Sequence, residues 1–146
     1  MKLSSRFPVA VQLLIILAWC PEDLKVTSDA IAFSVNTNPA LIRRIMGYLK
    51  KADLISVAPG TGGMKLARDI DQITLLDVYR AMELTDEDRL FGLHETQNPR
   101  CPIGNRINQV LLPHLEQARE ALERSLAKVT IEQLLEEFPP FGDWWR

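Results

Sequence analysis

The first strong pattern in the chain is an almost unbroken apolar run, RFPVAVQLLIILAWC, at residues 6–20. Only Gln12 interrupts it. A segment without a polar face is either a helix buried on most of its circumference or a targeting sequence. Val9 to Trp19 is far shorter than the roughly 20 residues a bilayer requires. Trp19 stands immediately before Cys20, where a cleavable leader needs a small residue, and the charges of Glu22, Asp23 and Lys25 follow at once. The expectation is therefore a buried helix over Leu3–Trp19, with Pro8 tolerated in its first turns and Pro21 ending it.

Beyond it the periodicity changes. Thr27-Ser28-Asp29 supplies a hydroxyl cap and a first-turn acid for a short helix, AIAFSV. Asn36-Thr37-Asn38-Pro39 reads as a turn that also starts the next helix, with Asn38 as cap and Pro39 in the first helical position. In that helix Ile42, Ile45, Met46 and Leu49 recur at helical spacing and predict one buried stripe. Arg43, Arg44, Gly47, Lys50 and Lys51 fall on the remaining surface. Leu54–Pro59 and Met64–Ala67 read as two short strands joined by Gly60-Thr61-Gly62-Gly63, a glycine turn that permits positive φ and close approach. Thr74 caps a further helix running to about Glu83.

Residues 84–102 show no period and include Pro99 and Pro102, so a long loop is expected, of a length that is usually functional or disordered. From Ile103 the helical pattern returns. Ile107, Leu111, Leu115, Ala118, Leu122 and Leu126 form a seam close to that of a coiled coil. A helix of about 25 residues would be about 37 Å long. Such a helix outreaches a small domain, so its seam predicts a homodimer. Pro113 should bend it. Thr130 caps a last short helix, IEQLLEEF, and the tail PPFGDWWR, lacking a period, is expected to be mobile.

The sum is a mostly α chain with a small β wing: a winged helix-turn-helix over 1–83, a loop and candidate sensor over 84–102, a dimerisation helix and short final helix over 103–137, and a tail over 138–146. With 146 residues, 47% hydrophobic and 25% charged, the composition is that of an ordinary globular domain. The net charge of −2 hides an asymmetry. Residues 1–82 carry ten Lys/Arg against seven Asp/Glu, and residues 83–146 seven against twelve. Only the first part suits an anionic partner.

In a helix-turn-helix the start of the second helix enters the major groove. Here that start offers Asn38, Pro39, Ala40, Arg43 and Arg44. Arginine can bond guanine O6 and N7 together, and the Ala40 methyl can touch thymine. Thr27, Ser28, Asn36 and Thr37 sit at helix starts suited to phosphates. Arg6, Gly62, Gly63 and Lys65 complete the expected DNA-contacting set, with the wing on the backbone or minor groove. Double-stranded operator DNA and a second copy are the expected partners, with no membrane partner and a cytoplasmic location. No nucleophile–base pair, metal-ligand spacing or phosphate loop appears, which excludes an enzyme: Gly60–Gly63 lacks the Lys-Ser/Thr and the strand-to-helix setting of a P-loop. A different class remains open, a protein-interaction module that kept the fold without specific DNA reading.

The stretches MKLSSRFPVAVQLLIILA, TSDAIAFSVNTNPALIRRIMGYLKKADLI, GTGGMKLARDIDQITLLDVYRAME and HETQNPRCPIGNRINQVLLPHLEQAREALERSLAKVTIEQLL, in that order, resemble the Rrf-two family of bacterial winged-helix transcription regulators. The NTNP and HExxNPxCPxG signatures are similar to a subgroup lacking iron–sulfur ligands. The resemblance implies a repressor whose first helix lies between reading head and dimer helix. Cluster-binding members place three cysteines before the long helix, whereas this chain has only Cys101 there and Cys20 far away in sequence. No cofactor is therefore expected, although Asp88, His94 and Glu95 could join Cys101 as mixed ligands, and clusters usually take four. Met64 stands where relatives often carry an aromatic residue. Cys101, after Arg100 and before the long helix, is also a candidate thiol sensor, with His94 nearby in sequence; the alternative is a small residue packing the CPIG turn.

Overall fold

The computed structural model describes residues 5–60, 62–82 and 91–142. Helix α1 runs Arg6–Trp19, α2 Ser28–Val35 and α3 Pro39–Lys51. Strands β1, Ile55–Val57, and β2, Met64–Leu66, pair antiparallel with Ser56 opposite Lys65. After a single 3-10 turn, Ile70–Gln72, come α4, Leu75–Met82, α5, Ile107–Leu126, and α6, Ile131–Leu135. Leu3, expected to open α1, and Glu83, expected to close α4, lie outside the described residues.

The core is built from the predicted stripes. Leu13 and Leu14 of α1, Ile31 of α2, Ile42, Ile45 and Leu49 of α3, Ile73, Val78 of α4 and Ile131 of α6 are fully buried. Each such side chain contributes about 1.5–3 kcal/mol on leaving water. α2 packs on α3, and α1 packs on α4 and α6. The Ile131 side chain thus sits in the same core as the helix-turn-helix, though more than a hundred residues separate it from α1.

Local chemistry stitches the end of the chain to this body. Thr74 and Asp77 cap α4 reciprocally, the Thr74 N–H donating to Asp77 Oδ2 (2.9 Å) and the Asp77 N–H to Thr74 Oγ1 (3.2 Å). Thr130 and Gln133 form a capping box on α6. The two helix starts lie side by side: the Leu75 N–H donates to Val129 O and the Ile131 N–H to Ile73 O, both at 2.9 Å.

Two expectations, the length of α5 and the mobility of the tail, are corrected. α1 is buried or half-buried at every residue but Pro8. Phe7, Val11, Gln12, Ile15 and Trp19 are only half-buried. With Leu75, Leu134 and Phe138 they line an open groove of about 690 Å³. α5 is shorter than expected, 20 residues starting at Ile107. Successive turns over 98–106 precede it, in which the Cys101 N–H donates to Asn98 O and the Asn105 N–H to Cys101 O. Pro113 lies inside α5. The tail is not free of partners: Phe141 stacks edge-on against Trp19 at 4.9 Å, and Trp19 Nε1 donates to Pro139 O at 2.7 Å. Trp144 and Trp145 lie outside the described residues.

Candidate nucleic-acid interface

α2 starts on Thr27, whose hydroxyl accepts from the Ala30 N–H at 3.2 Å, leaving Ser28 in the first turn. It ends on Asn36, which takes a left-handed φ of 61° that Asn tolerates better than most residues. The Thr37 N–H then donates to Ala32 O at 3.0 Å, so the chain reverses at once. Asn38 caps α3, its Oδ1 accepting from the Leu41 N–H at 2.9 Å, with Pro39 in the first turn where no N–H is needed. A short turn between two capped helices therefore fixes where α3 begins, and with it the direction of its exposed face.

With Ile42, Ile45 and Leu49 buried, that face is set by geometry. Ala40, Arg43, Arg44, Gly47, Lys50 and Lys51 are all exposed. Among the described residues the ion pairs are Arg68–Asp77, Arg80–Glu123 and Arg124–Glu120. None involves a cation of α3, so no side chain among the described residues neutralises that face. Spacing singled out Arg43 and Arg44 as DNA contacts and left Lys50 and Lys51 aside, although both recur in phase on the same face.

The wing lies beside this helix. Gly60 and Gly63 take positive φ of 64° and 79°. The Ala58 N–H closes the turn on Gly63 O at 2.9 Å. Gly62 is exposed and packed on Ala58. A Cβ on Gly63 would lie 2.7 Å from Val26 O, because the wing is fastened to the connection after α1, the Met64 N–H donating to Val26 O at 3.0 Å. Met64 is buried in the core, while Lys65 is exposed. Arg6 is half-buried and its guanidinium lies 5.8 Å from the centre of the Tyr48 ring. That places it toward the C-terminal end of α3, about 15 Å along the helix from Asn38.

The candidate sensor residues sit apart from this face. Cys101 is exposed, and the N–H groups of Gly104 and then Ile103 donate to its sulfur and hold its thiol below the ordinary value. Cys20 is buried behind the wing, which pushes its thiol up. His94 is exposed, with its ring 3.3 Å from the Thr96 hydroxyl, and its carbonyl accepts from Asn108 Nδ2. Asp88 lies outside the described residues. Among those described, no three His, Cys, Asp or Glu side chains come together as a metal site.

α5 carries no buried residue. Of the predicted seam, Leu111 and Ala118 are exposed, while Ile107, Leu115, Leu122 and Leu126 are half-buried, α5 resting on α4 where Glu123 meets Arg80. Val110 and Leu112, at 54% and 42% exposed, and Ile103 at 71%, are apolar surface that the seam spacing missed.

Two capped helices at a tight turn, an unpaired cationic face on the second and a glycine-tipped wing beside it define a winged helix-turn-helix DNA-binding protein. Comparison with known proteins gives the family. The model of the Rrf2 (Rrf-two) family, described as iron-dependent transcriptional regulators, matches residues 3–137. The chain is 38% identical over 133 residues to YwnA of Bacillus subtilis (strain 168), named as a candidate helix-turn-helix transcriptional regulator, covering 91% of this chain and 96% of the relative. A crystal structure of a candidate DNA-binding protein superposes with a TM-score of 0.72 at 35% identity, covering 90% of this chain and 99% of that one. CymR, the global cysteine regulator of B. subtilis, shares the fold at 20% identity, with a TM-score of 0.64 over 98% of this chain and 99% of its own. The protein belongs to the Rrf2 family of helix-turn-helix transcriptional regulators and is not an enzyme. No helix among the described residues is long and apolar enough to cross a membrane.

Proposed function

We propose that the protein is a homodimeric, sequence-specific repressor acting on double-stranded operator DNA in the cytoplasm, without a resident iron–sulfur cluster. Residues 38–51 enter the major groove, with Asn38, Pro39, Ala40, Arg43 and Arg44 facing the bases. Thr27, Ser28, Asn36 and Thr37 meet phosphates, and the wing over 55–67 reaches the backbone or minor groove through Gly62, Gly63 and Lys65. Arg6 adds positive potential beside α3. The observation that carries this reading is the exposed, unpaired cationic face of α3 opposite its buried stripe.

Dimerisation rests on α5, about 30 Å long with no buried residue, through the exposed parts of the Ile107–Leu126 seam together with Val110 and Leu112. Two reading heads then address half-sites about 34 Å apart on one face of the duplex.

The test is binding to DNA from upstream of the protein's own gene across a salt series. Affinity should fall by about 0.9 log units per log unit of salt for each phosphate neutralised. Arg43→Ala with Arg44→Ala should reduce both affinity and that slope. Binding indifferent to salt and sequence, and unchanged in the double variant, would instead favour a protein-interaction module on the same fold.

A second reading concerns the signal. The exposed Cys101 sulfur, with two backbone N–H donors stabilising its thiolate, suits oxidation or alkylation. In this reading its modification lowers DNA affinity, and Cys101→Ser abolishes the response without loss of binding. His94 anchors the same loop through its carbonyl.

A further inference from the structure

Gly47 lies in the interior of α3, between Met46 and Tyr48, on the exposed face. Glycine there is unfavourable by about 0.8–1.0 kcal/mol relative to alanine. The glycines of the wing and of the turn before α5 have a reason for it, and Gly92 lies outside any helix, where the helical penalty does not apply. Gly60 and Gly63 take positive φ, and an added Cβ on Gly63 or Gly104 would press on a backbone oxygen. Gly47 has none of these. Its φ is helical, α3 runs through it without a break, and an added Cβ meets nothing beyond its own helical backbone within 4 Å. Nothing among the described residues asks for the missing side chain, which points to the surface this residue faces.

That surface is the one assigned to DNA. Gly47 follows Ala40 by seven residues, two turns along the helix and about 20° off its line. Arg43 and Arg44 lie between them, on either side of that line. A B-DNA major groove is about 12 Å wide and a helix with its side chains about 10–12 Å across. Such a helix seats deeply only where the side chains along its leading line are short. We propose that Gly47 is a positioning residue of the DNA interface: its lack of a side chain sets the depth at which α3 enters the groove, and so brings Arg43 and Arg44 within reach of base edges. The inference rests on the reading of α3 as the recognition helix. It adds a position at which bulk, not charge, decides affinity.

The experiment uses the full-length protein and a duplex selected by the wild type from a random-sequence pool. Gly47→Ala, Gly47→Leu and the Arg43→Ala/Arg44→Ala pair are compared for thermal midpoint and for DNA affinity at one salt concentration. Both Gly47 variants should melt higher, by about 3 °C for alanine. They should nevertheless bind more weakly, about fivefold for alanine and more for leucine, as forcing bulk into a close-packed contact does. If the arginine pair weakens binding and the Gly47 variants bind like wild type, the positioning role is wrong and the recognition helix stands. If the arginine pair leaves binding intact, the recognition helix itself is wrong and the inference falls with it. A Gly47→Ala protein that melts lower than wild type would reveal an internal need for glycine, which also overturns the proposal.

Discussion

Replacing Gly63 by alanine separates backbone strain from packing in the wing. Gly60 and Gly63 both hold positive φ, 64° and 79°. Placing a side chain in left-handed backbone costs about 1–2 kcal/mol. At Gly60 nothing lies within 4 Å of the added Cβ, so Gly60→Ala should show that strain alone. At Gly63 the same atom would stand 2.7 Å from Val26 O and 3.0 Å from Lys25 Cγ. Val26 O is backbone, and it accepts from the Met64 N–H at 3.0 Å, so relief of the overlap stretches that bond. A lost hydrogen bond adds about 0.5–1.5 kcal/mol, for a total of about 2–3 kcal/mol. At roughly 3 °C per kcal/mol, Gly60→Ala should lower the melting midpoint by about 4 °C and Gly63→Ala by about 8 °C. Urea unfolding, which yields the midpoint and slope independently, and exchange of the Met64 amide provide the assay. Gly63→Ala should also expose the Met64 amide selectively. Equal midpoints for the two variants together with an unchanged Met64 amide would refute the argument that the wing is fastened through Val26.

The remaining predictions concern other parts of the molecule. Cys101, its thiol lowered by the Gly104 and Ile103 N–H groups, should be alkylated at lower pH in the native protein than in the urea-unfolded chain, whereas Cys20, raised by burial, should react only after unfolding. Mass spectrometry of the labelled peptides checks this, and identical native and unfolded pH profiles for Cys101 would contradict it. The direction is that of a depressed pKa: the folded state favours the thiolate, and the preference vanishes as pH falls through the folded value. Thr130→Ala removes the α6 capping box and should cost about 1 kcal/mol in urea unfolding. Ile131→Ala, one residue on and fully buried, should cost about 2–5 kcal/mol by the same measurement. Val110→Asp with Leu111→Asp should convert the proposed dimer to monomer in sedimentation while leaving the helical circular dichroism unchanged; a persistent dimer would move the interface away from α5.

What the sequence determined by itself was local. The caps Thr27, Asn38, Thr74 and Thr130 each bond to a backbone group three residues on, and the Ile42–Leu49 stripe and the glycine hairpin are set by spacing alone, so the reading head was legible before any coordinates. Arg43 and Arg44 could be placed on the exposed face for the same reason: once one face of a helix is buried, the opposite face is fixed by its period. Lys50, Lys51 and Gly47 carried that signal as well, in phase with Ala40. Only the tertiary structure decided how remote segments meet. α1 was expected to be buried on most of its circumference because its run has no polar face, but hydrophobicity does not say which neighbours arrive, and within the chain one side lines an open groove. The tail has no period because Phe141 and Pro139 are held by one partner, Trp19, rather than by a repeating face. Ile131 reaches the same core as the helix-turn-helix through two backbone hydrogen bonds between the starts of α4 and α6, and Arg6 meets the Tyr48 ring across the fold. Such pairings depend on side-chain shape and chain closure over tens of residues, and one-dimensional spacing carries no record of them.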